Sequence, residues 1–289
     1  MAEVERDLAT GVQTTGHEWD GIKELNNPLP RWWLLVFYAC VIYGLGYTVF
    51  YPAWPTLSGY TRGILGYNSH ADYYTEAAAA VEAKKQFTDR IAAMSVDEIS
   101  QDSQLLEFSL AGGQAVFNEN CAQCHGVGGQ GLRFYPVLAD DNWIWGGRLA
   151  DIEQTVRHGI RHPDDPDTRQ SLMPSFGVDG LLDKGQIADV TEYVVSLTGA
   201  EFDAAAKDRG AKVFTENCVV CHGENAAGNK ELGAPSLANN IWQFTGDRAA
   251  FAAHINAPRH GVMPAWQGRL SDDLIKMVTV YVHSLGGGQ

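Results

Sequence analysis

Residues 32–51 read WWLLVFYACVIYGLGYTVFY, twenty positions without a charge, with Pro30 ahead of the run and Pro52 and Pro55 behind it. A helix of that length rises roughly 30 Å, the hydrocarbon thickness of a bilayer. It has no polar face to turn toward water, so the pattern predicts a membrane span rather than a soluble core helix. Trp32 and Trp33 mark one end and Tyr51 and Trp54 the other, as aromatic residues do at membrane interfaces. About thirty polar residues precede the run. The run is longer than a leader's apolar core and has no small-residue cleavage site in the usual place, which argues against a cleaved signal. Lys23 and Arg31 lie close before the helix and only Arg62 close after it, a bias of one charge toward an inner N-terminus.

Beyond the span the pattern changes. Residues 1–31 are polar and are expected to be poorly ordered. Residues 52–70, rich in Gly, Pro and Tyr, read as a loop. The stretch ADYYTEAAAAVEAKKQFTDRIAAM, residues 71–94, predicts a helix from its alanine content. Ser95-Val96-Asp97-Glu98 has the form of a capping box and predicts a further short helix.

The remainder is an internal repeat. Gly113, Val116, Phe117, Asn120, Cys121, Cys124, His125 and Gly126 recur 97 positions later as Gly210, Val213, Phe214, Asn217, Cys218, Cys221, His222 and Gly223. Pro136, Leu138, Ala139 and Trp143 recur as Pro235, Leu237, Ala238 and Trp242. His158-Gly159-Ile160 matches His260-Gly261-Val262, and Met173-Pro174 matches Met263-Pro264, with twelve extra residues, 161–172, in the first copy. Ile187, Val190, Tyr193, Val194 and Leu197 match Ile275, Val278, Tyr281, Val282 and Leu285 at helical spacing. The expected order in each copy is a helix, a CxxCH turn, a loop-rich middle, a Met-Pro loop and a closing helix. Phe117 and Phe214 on the first helices should meet Tyr193 and Tyr281 on the last where those helices cross. The domain reading is therefore 1–31 N-terminal segment, 32–51 membrane helix, 52–108 linker, 109–199 first repeat domain and 206–286 second.

Cysteine usage supplies the chemistry. Of five cysteines, four form Cys121-Ala122-Gln123-Cys124-His125 and Cys218-Val219-Val220-Cys221-His222. Cys40 stands in the apolar run and reads as an inert buried residue. Two thiols three apart can reach the two vinyl groups on one side of a porphyrin, and the adjacent His is then carried under the iron. A redox dithiol expects a βαβ context that is missing, and paired CxxC zinc sites lie about 15–20 residues apart rather than 97. Two covalently bound c-type haems follow, held by Cys121 and Cys124 and by Cys218 and Cys221, with His125 and His222 as proximal ligands. Each imidazole also needs an acceptor for its other nitrogen, and the carbonyls of Pro136 and Pro235 are well placed to provide it.

Five methionines compete for the sixth position. Met1 starts the chain, Met94 lies in the linker and Met277 in the last helix. Met173 and Met263 occupy equivalent loops, each followed by a proline that fixes the backbone. They are the expected sixth ligands, giving thioether–imidazole irons that carry electrons and are closed to substrates. His158 and His260 also match in the repeat, either as alternative ligands of bis-His haems or, the preferred reading, as loop histidines. A Met serving the neighbouring copy's haem is equally compatible with the sequence.

Charge narrows the partners. The total is −14, and from Ser95 onward 25 Asp and Glu face 14 Lys and Arg, a balance of −11. Such a surface repels nucleic acid and favours basic protein partners.

The segment Trp19-Asp20-Gly21-Ile22, then Glu24 to Trp33 (ELNNPLPRWW), followed by one membrane helix, a linker and two CxxCH domains, resembles the dihaem subunit of cbb3-type cytochrome c oxidases, the CcoP/FixP family. The likeness covers nearly the whole chain, although some members have two membrane helices and this chain shows one. It implies a mainly α architecture: one N-terminal transmembrane helix followed by two tandem cytochrome c domains. It implies partnership with a haem–copper catalytic subunit and a monohaem cytochrome subunit. Electrons would come from a donor cytochrome c, and this chain would have no catalytic site and bind no oxygen itself. It also implies a single-pass protein of the bacterial inner membrane, with a cytoplasmic N-terminus and periplasmic haem domains. The rival reading is a membrane-tethered dihaem shuttle with no oxidase attached.

Overall fold

A computed structural model describes residues 5–239, 241–242 and 246–286. The chain divides into two units, residues 1–81 and 82–289.

The first unit opens on a hairpin, β1 (Thr14–Trp19) and β2 (Ile22–Leu25), paired antiparallel with Trp19 opposite Ile22 and Glu18 opposite Lys23. The two turn residues, Asp20 and Gly21, both have positive φ, 49° and 82°. Both central residues of a two-residue turn need that conformation if the twist is to match the strands, and Asp-Gly adopts it readily. The expectation of a poorly ordered N-terminal segment is thus corrected over these residues. Helix α1 (Arg31–Phe50) follows, within one residue of the expected span, and its side chains are not buried in the chain's own core. It is long and apolar enough to cross a membrane. Cys40 is exposed on α1 rather than buried, as none of the helix's residues is buried among the described residues. A two-residue hairpin, β3 (Pro55–Thr56) and β4 (Gly59–Tyr60), comes next.

Helix α2 (Ser69–Ala93) ends at the capping box read from the sequence. Ser95 accepts from the Glu98 amide and Glu98 accepts in return from the Ser95 amide, starting α3 (Val96–Gln101). Asp102 then caps α4 (Ser103–Asn120), accepting from the amides of Gln104 and Leu105. The first CxxCH motif is the short helix α5 (Ala122–His125), and α6 (Leu149–His158), α7 (Lys184–Leu197) and α8 (Ala204–Asn217) follow. The second motif is α9 (Val219–His222), before α10 (Arg248–Asn256) and α11 (Asp272–Ser284).

The packing does not follow the order of the repeat. Helix α4 lies against α11, the last helix of the second copy, and α7 lies against α8. Phe117 therefore meets Tyr281, with ring centroids 5.4 Å apart, and Phe214 meets Tyr193 at 4.8 Å. The expected aromatic contacts form, but each joins one copy to the other. The core splits in the same way. Val116, Phe117, Ile152 and Val156 of the first copy pack with Trp266, Ile275, Val278 and Val282 of the second. Phe176, Ile187 and Val190 of the first pack with Val213, Phe214 and Ala226 of the second. The stretches 109–199 and 206–286 share their cores within the second unit. Residues 96–160 join 263–286, while 173–197 join 204–256.

Two glycines allow the crossings. A Cβ on Gly113 would lie 2.2 Å from the Met277 carbonyl oxygen, and one on Gly210 would lie 2.0 Å from that of Asp189. Backbone approaches backbone there, leaving the flanking aromatics to fill the crossing. Gly113→Ala should therefore destabilise the chain by about 1–3 kcal/mol, the usual range for overpacking. Gly261→Ala, whose Cβ would meet nothing within 4 Å, should be nearly silent. Denaturant titration of both variants checks the contrast.

Helix α11 is buried on two sides. Ile275, Val278 and Val282 face the first CxxCH motif, while Met277 and Val280 face Ile91, Val96, Ile99 and Leu105. Lys276 is buried among them. Its Nζ donates to the carbonyls of Ala92 (2.7 Å) and Met94 (2.8 Å) and lies 3.2 Å from Asp272 Oδ2. A buried ammonium is tolerated because these partners replace its water.

Candidate haem-binding sites

Each CxxCH motif is a single tight helical turn on the end of a longer helix. Cys121 caps α4, and the amides of Cys124 and His125 both donate to its carbonyl, at 3.1 and 2.9 Å. Cys218 does the same for Cys221 and His222, at 3.2 and 2.9 Å. The chain then turns away through Gly126 and Gly223, with φ of 77° and 75°. The left-handed conformation, closed to most residues, lets the loop fold back beside the imidazole. The Gly131 amide donates to the His125 carbonyl at 2.7 Å, and Gly228 to that of His222 at 2.8 Å.

The imidazoles are set as ligands need to be. His125 Nδ1 lies 3.1 Å from the Pro136 carbonyl oxygen, and His222 Nδ1 lies 2.9 Å from that of Pro235. Those are the acceptors expected from the sequence. A carbonyl can only accept, so Nδ1 carries the hydrogen and Nε2 keeps its lone pair for a metal. Burial lowers the pKa of both histidines, favouring the neutral form that binds iron. Burial also pushes the Cys121 and Cys218 thiols up to about 11, with the neighbouring cysteine adding to it. Such sulfurs resist the thiolate form that zinc or a redox dithiol requires, and they suit neutral thioether bonds.

The methionine loops have crossed over. Met263 packs on the cluster that includes Phe117, Ile152 and Val156, together with Cys121 and Trp143. Met173 packs on the cluster that includes Phe214, as do Cys218, Val219 and Leu237. The crossing is pinned by backbone. Ile160 and Met263 exchange two hydrogen bonds of 3.0 Å each. Trp266 and Gln267 donate to carbonyls at the end of α6, and Arg157 lies 2.5 Å from Asp272. Gly159, with φ of 66°, makes the approach possible, since a Cβ there would be 2.3 Å from the Met263 carbonyl oxygen.

The repeated histidines have other partners. His158 Nδ1 is 3.1 Å from Asp165, inside the insertion of the first copy. The Met173 amide donates to His260 Nε2 at 3.0 Å, so His260 holds the loop that presents Met173. Sequence reasoning missed this contact, because the partners are 87 residues apart and sit in different copies.

Family models agree with these motifs. The model for the "N-terminal domain of cytochrome oxidase-cbb3, FixP" matches residues 11–58, that for "Cytochrome c" residues 110–198, and that for "Cytochrome C oxidase, cbb3-type, subunit III" residues 205–282. The chain is 50% identical to the cbb3-type cytochrome c oxidase subunit CcoP of Azospirillum brasilense over the full length of both chains. The chain belongs to the CcoP/FixP family of cbb3-type cytochrome c oxidase subunits. It is also 49% identical to the subunit FixP of Sinorhizobium medicae, covering 98% of this chain and 97% of that one. The subunit CcoP of Cereibacter sphaeroides is 46% identical, with 96% and 95% covered. Family membership accounts for a membrane helix, c-type haem domains and a role in electron transfer within a larger oxidase. It leaves open which methionine faces which haem.

Proposed function

We propose that this chain is the dihaem electron-transfer subunit of a cbb3-type oxidase, and that each of its two haem sites is built from both repeat copies. Cys121 and Cys124 hold one haem covalently, with His125 and Met263 as axial ligands. Cys218 and Cys221 hold the other, with His222 and Met173. The observation that carries the pairing is that each methionine packs on the same apolar cluster as the opposite copy's motif cysteine. The fit of the donor set rests on the Nδ1 contacts to Pro136 and Pro235, which leave each Nε2 free to ligate. Haem c supplies reversible one-electron transfer. The protein's part is to keep the sixth position filled, hold the imidazole neutral and exclude water with the apolar clusters around Phe117 and Phe214.

The N-terminal segment and α1 hold the chain in the membrane and against its partners, a haem–copper catalytic subunit and a monohaem cytochrome subunit. The FixP-type stretch before α1 supports this over a free tethered shuttle, which has no need of so specific a pre-membrane sequence. The haem units lie on the periplasmic side and the N-terminus in the cytoplasm of a bacterial inner membrane. Their net acidity supports entry of electrons from a basic donor cytochrome c.

Cys121→Ser and Cys221→Ser should each remove one covalent haem and leave the other. A pyridine haemochrome count of the purified chain reads this directly. Two covalent haems in either variant would sink the assignment. Both variants should still co-purify with the other oxidase chains through α1, whereas loss of residues 1–56 behind a substitute export signal should abolish that association.

A further inference from the structure

The twelve residues of the first-copy insertion hold none of the proposed ligands, yet they touch residues of both copies. Arg169 comes from this insertion. Its amide donates to the Gly159 carbonyl, and its own carbonyl accepts from the Arg161 amide, which fixes it on the end of α6. The guanidinium lies 5.1 Å from the centroid of the Trp145 ring. Nη2 donates to the Asp151 carbonyl oxygen at 3.1 Å and stays 3.9 Å from the Asp151 carboxylate. That carboxylate is already engaged by Arg148, at 2.8 and 3.2 Å. Two guanidiniums thus share one carboxylate, and Arg169 has the distant share.

Arg169 Nε is buried and has no hydrogen-bond partner among the described residues. Its side chain is only 16% exposed, so water does not make up the loss. Arg161, the first residue of the same insertion, is in a similar position. Its Nε and Nη1 donate to the carbonyls of Gly261 (2.6 Å) and Ser171 (3.0 Å), which accept hydrogen bonds without neutralising charge. Burial lowers the pKa of both guanidiniums, the sign of cations short of counter-charge. The place also adjoins both haem sites. Trp145 presses on Gly233, where a Cβ would be 2.1 Å from the ring, and the loop around Gly233 leads to Pro235, the acceptor for His222. Asp151 lies on α6, whose Ile152 and Val156 belong to the core beside Cys121.

We propose that Arg169, supported by Arg161, is a carboxylate-binding site where the two copies meet, and that its ligand is a propionate of one of the two haems. The inference rests on the dihaem reading above. A haem brings two carboxylates, while Arg169 offers a buried N–H with no acceptor and a charge that has only the distant share of one carboxylate. An ionised propionate meets both needs, and Arg is the side chain whose planar fork suits a carboxylate. The paired positive charge favours the reduced haem, which is the more negative state, and so holds its potential up.

The test uses the full-length dihaem chain with Arg169→Gln. Both covalent haems and the near-infrared sulfur-to-iron bands should remain. In a redox titration the midpoint of one haem should fall, by up to about tenfold in its reduction equilibrium, equivalent to ~59 mV for one electron. The propionate-bending bands in the resonance Raman spectrum should shift. Arg169→Lys keeps the charge but not the fork, so it should recover most of the potential while leaving the Raman shift. Repeating the titration with Met173→His, which marks the haem at Cys218 by its bis-His spectrum, shows which haem supplies the propionate. Unchanged potentials together with unchanged propionate bands in Arg169→Gln overturn the proposal. If that variant fails to fold, unchanged propionate bands in Arg169→Lys overturn it instead. Absence of covalent haem from the unaltered chain would defeat the dihaem reading and not this site alone.

Discussion

Met263→His should lower the midpoint potential of the haem held by Cys121 and Cys124 and abolish its near-infrared sulfur-to-iron band. The haem held by Cys218 and Cys221, in the same repeat copy as the substitution, should be nearly unaffected. The expected fall is on the order of 0.1 V or more, inside the roughly 0.8 V that axial ligands span. Thioether favours the reduced iron, and a second imidazole does so less. The direction of the crossover follows from three contacts. Met263 exchanges hydrogen bonds with Ile160, Trp266 donates to the last turn of α6, and Met263 packs on the core beside Cys121. Pairing the substitution with Cys221→Ser, which leaves one haem, makes the readout unambiguous. If the effect falls on the haem at Cys218, the methionines serve their own copies and the interleaved ligation is wrong.

Removal of residues 257–289 should produce the largest structural effect. Tandem domains would lose only the closing part of the second. The interleaved packing predicts the reverse, because α11 covers Val116 and Phe117 of α4 on one side and Ile91, Ile99 and Leu105 on the other. Burying a large aliphatic or aromatic side chain contributes about 1.5–3 kcal/mol, so uncovering several of these exceeds the stability of an ordinary domain. The region 96–160 should become sensitive to protease and lose amide protection. The region 184–256 keeps its α7–α8 pair, with Tyr193 on Phe214 and Gly210 under the Asp189 carbonyl, and should stay protected. Protection lost from 184–256, with 96–160 left intact, would return α11 to the helices of its own copy.

The interleaving bears on function. His260 accepts from the Met173 amide, and three residues later the same segment presents Met263 to the other site. One short stretch of chain therefore touches both methionine loops. Nothing in either repeat copy, taken alone, conveys that arrangement.

Local signals were legible wherever the physics is local. The membrane helix follows from twenty uncharged residues, and its ends fall where Pro30 and Pro52 bracket them. The start of α3 follows from Ser95 and Glu98, since a capping box closes within four residues. The two CxxCH turns and the Pro136 and Pro235 acceptors follow from covalent spacing within about a dozen residues. The N-terminal hairpin was legible too, in Asp20-Gly21 between Trp19 and Ile22, but the polar composition of the segment outweighed that signal. What the repeat could not convey is pairing. Phe117 is equally complementary to Tyr193 and Tyr281, and Gly113 to either closing helix, because the two copies repeat one pattern. Similar surfaces make the closed and the exchanged arrangement nearly alike in local energy. The choice lies in contacts between distant residues, Arg157 with Asp272, Lys276 with the end of α2 and Arg161 with Gly261, and no periodicity encodes those. The sequence by itself determined the membrane anchor, the two haem motifs and the four candidate axial ligands, because each depends on the chemistry of residues close in the chain. Only the tertiary structure decided which core each methionine packs on and which helices share a core, because those depend on which of two equivalent surfaces the chain reaches after its insertion.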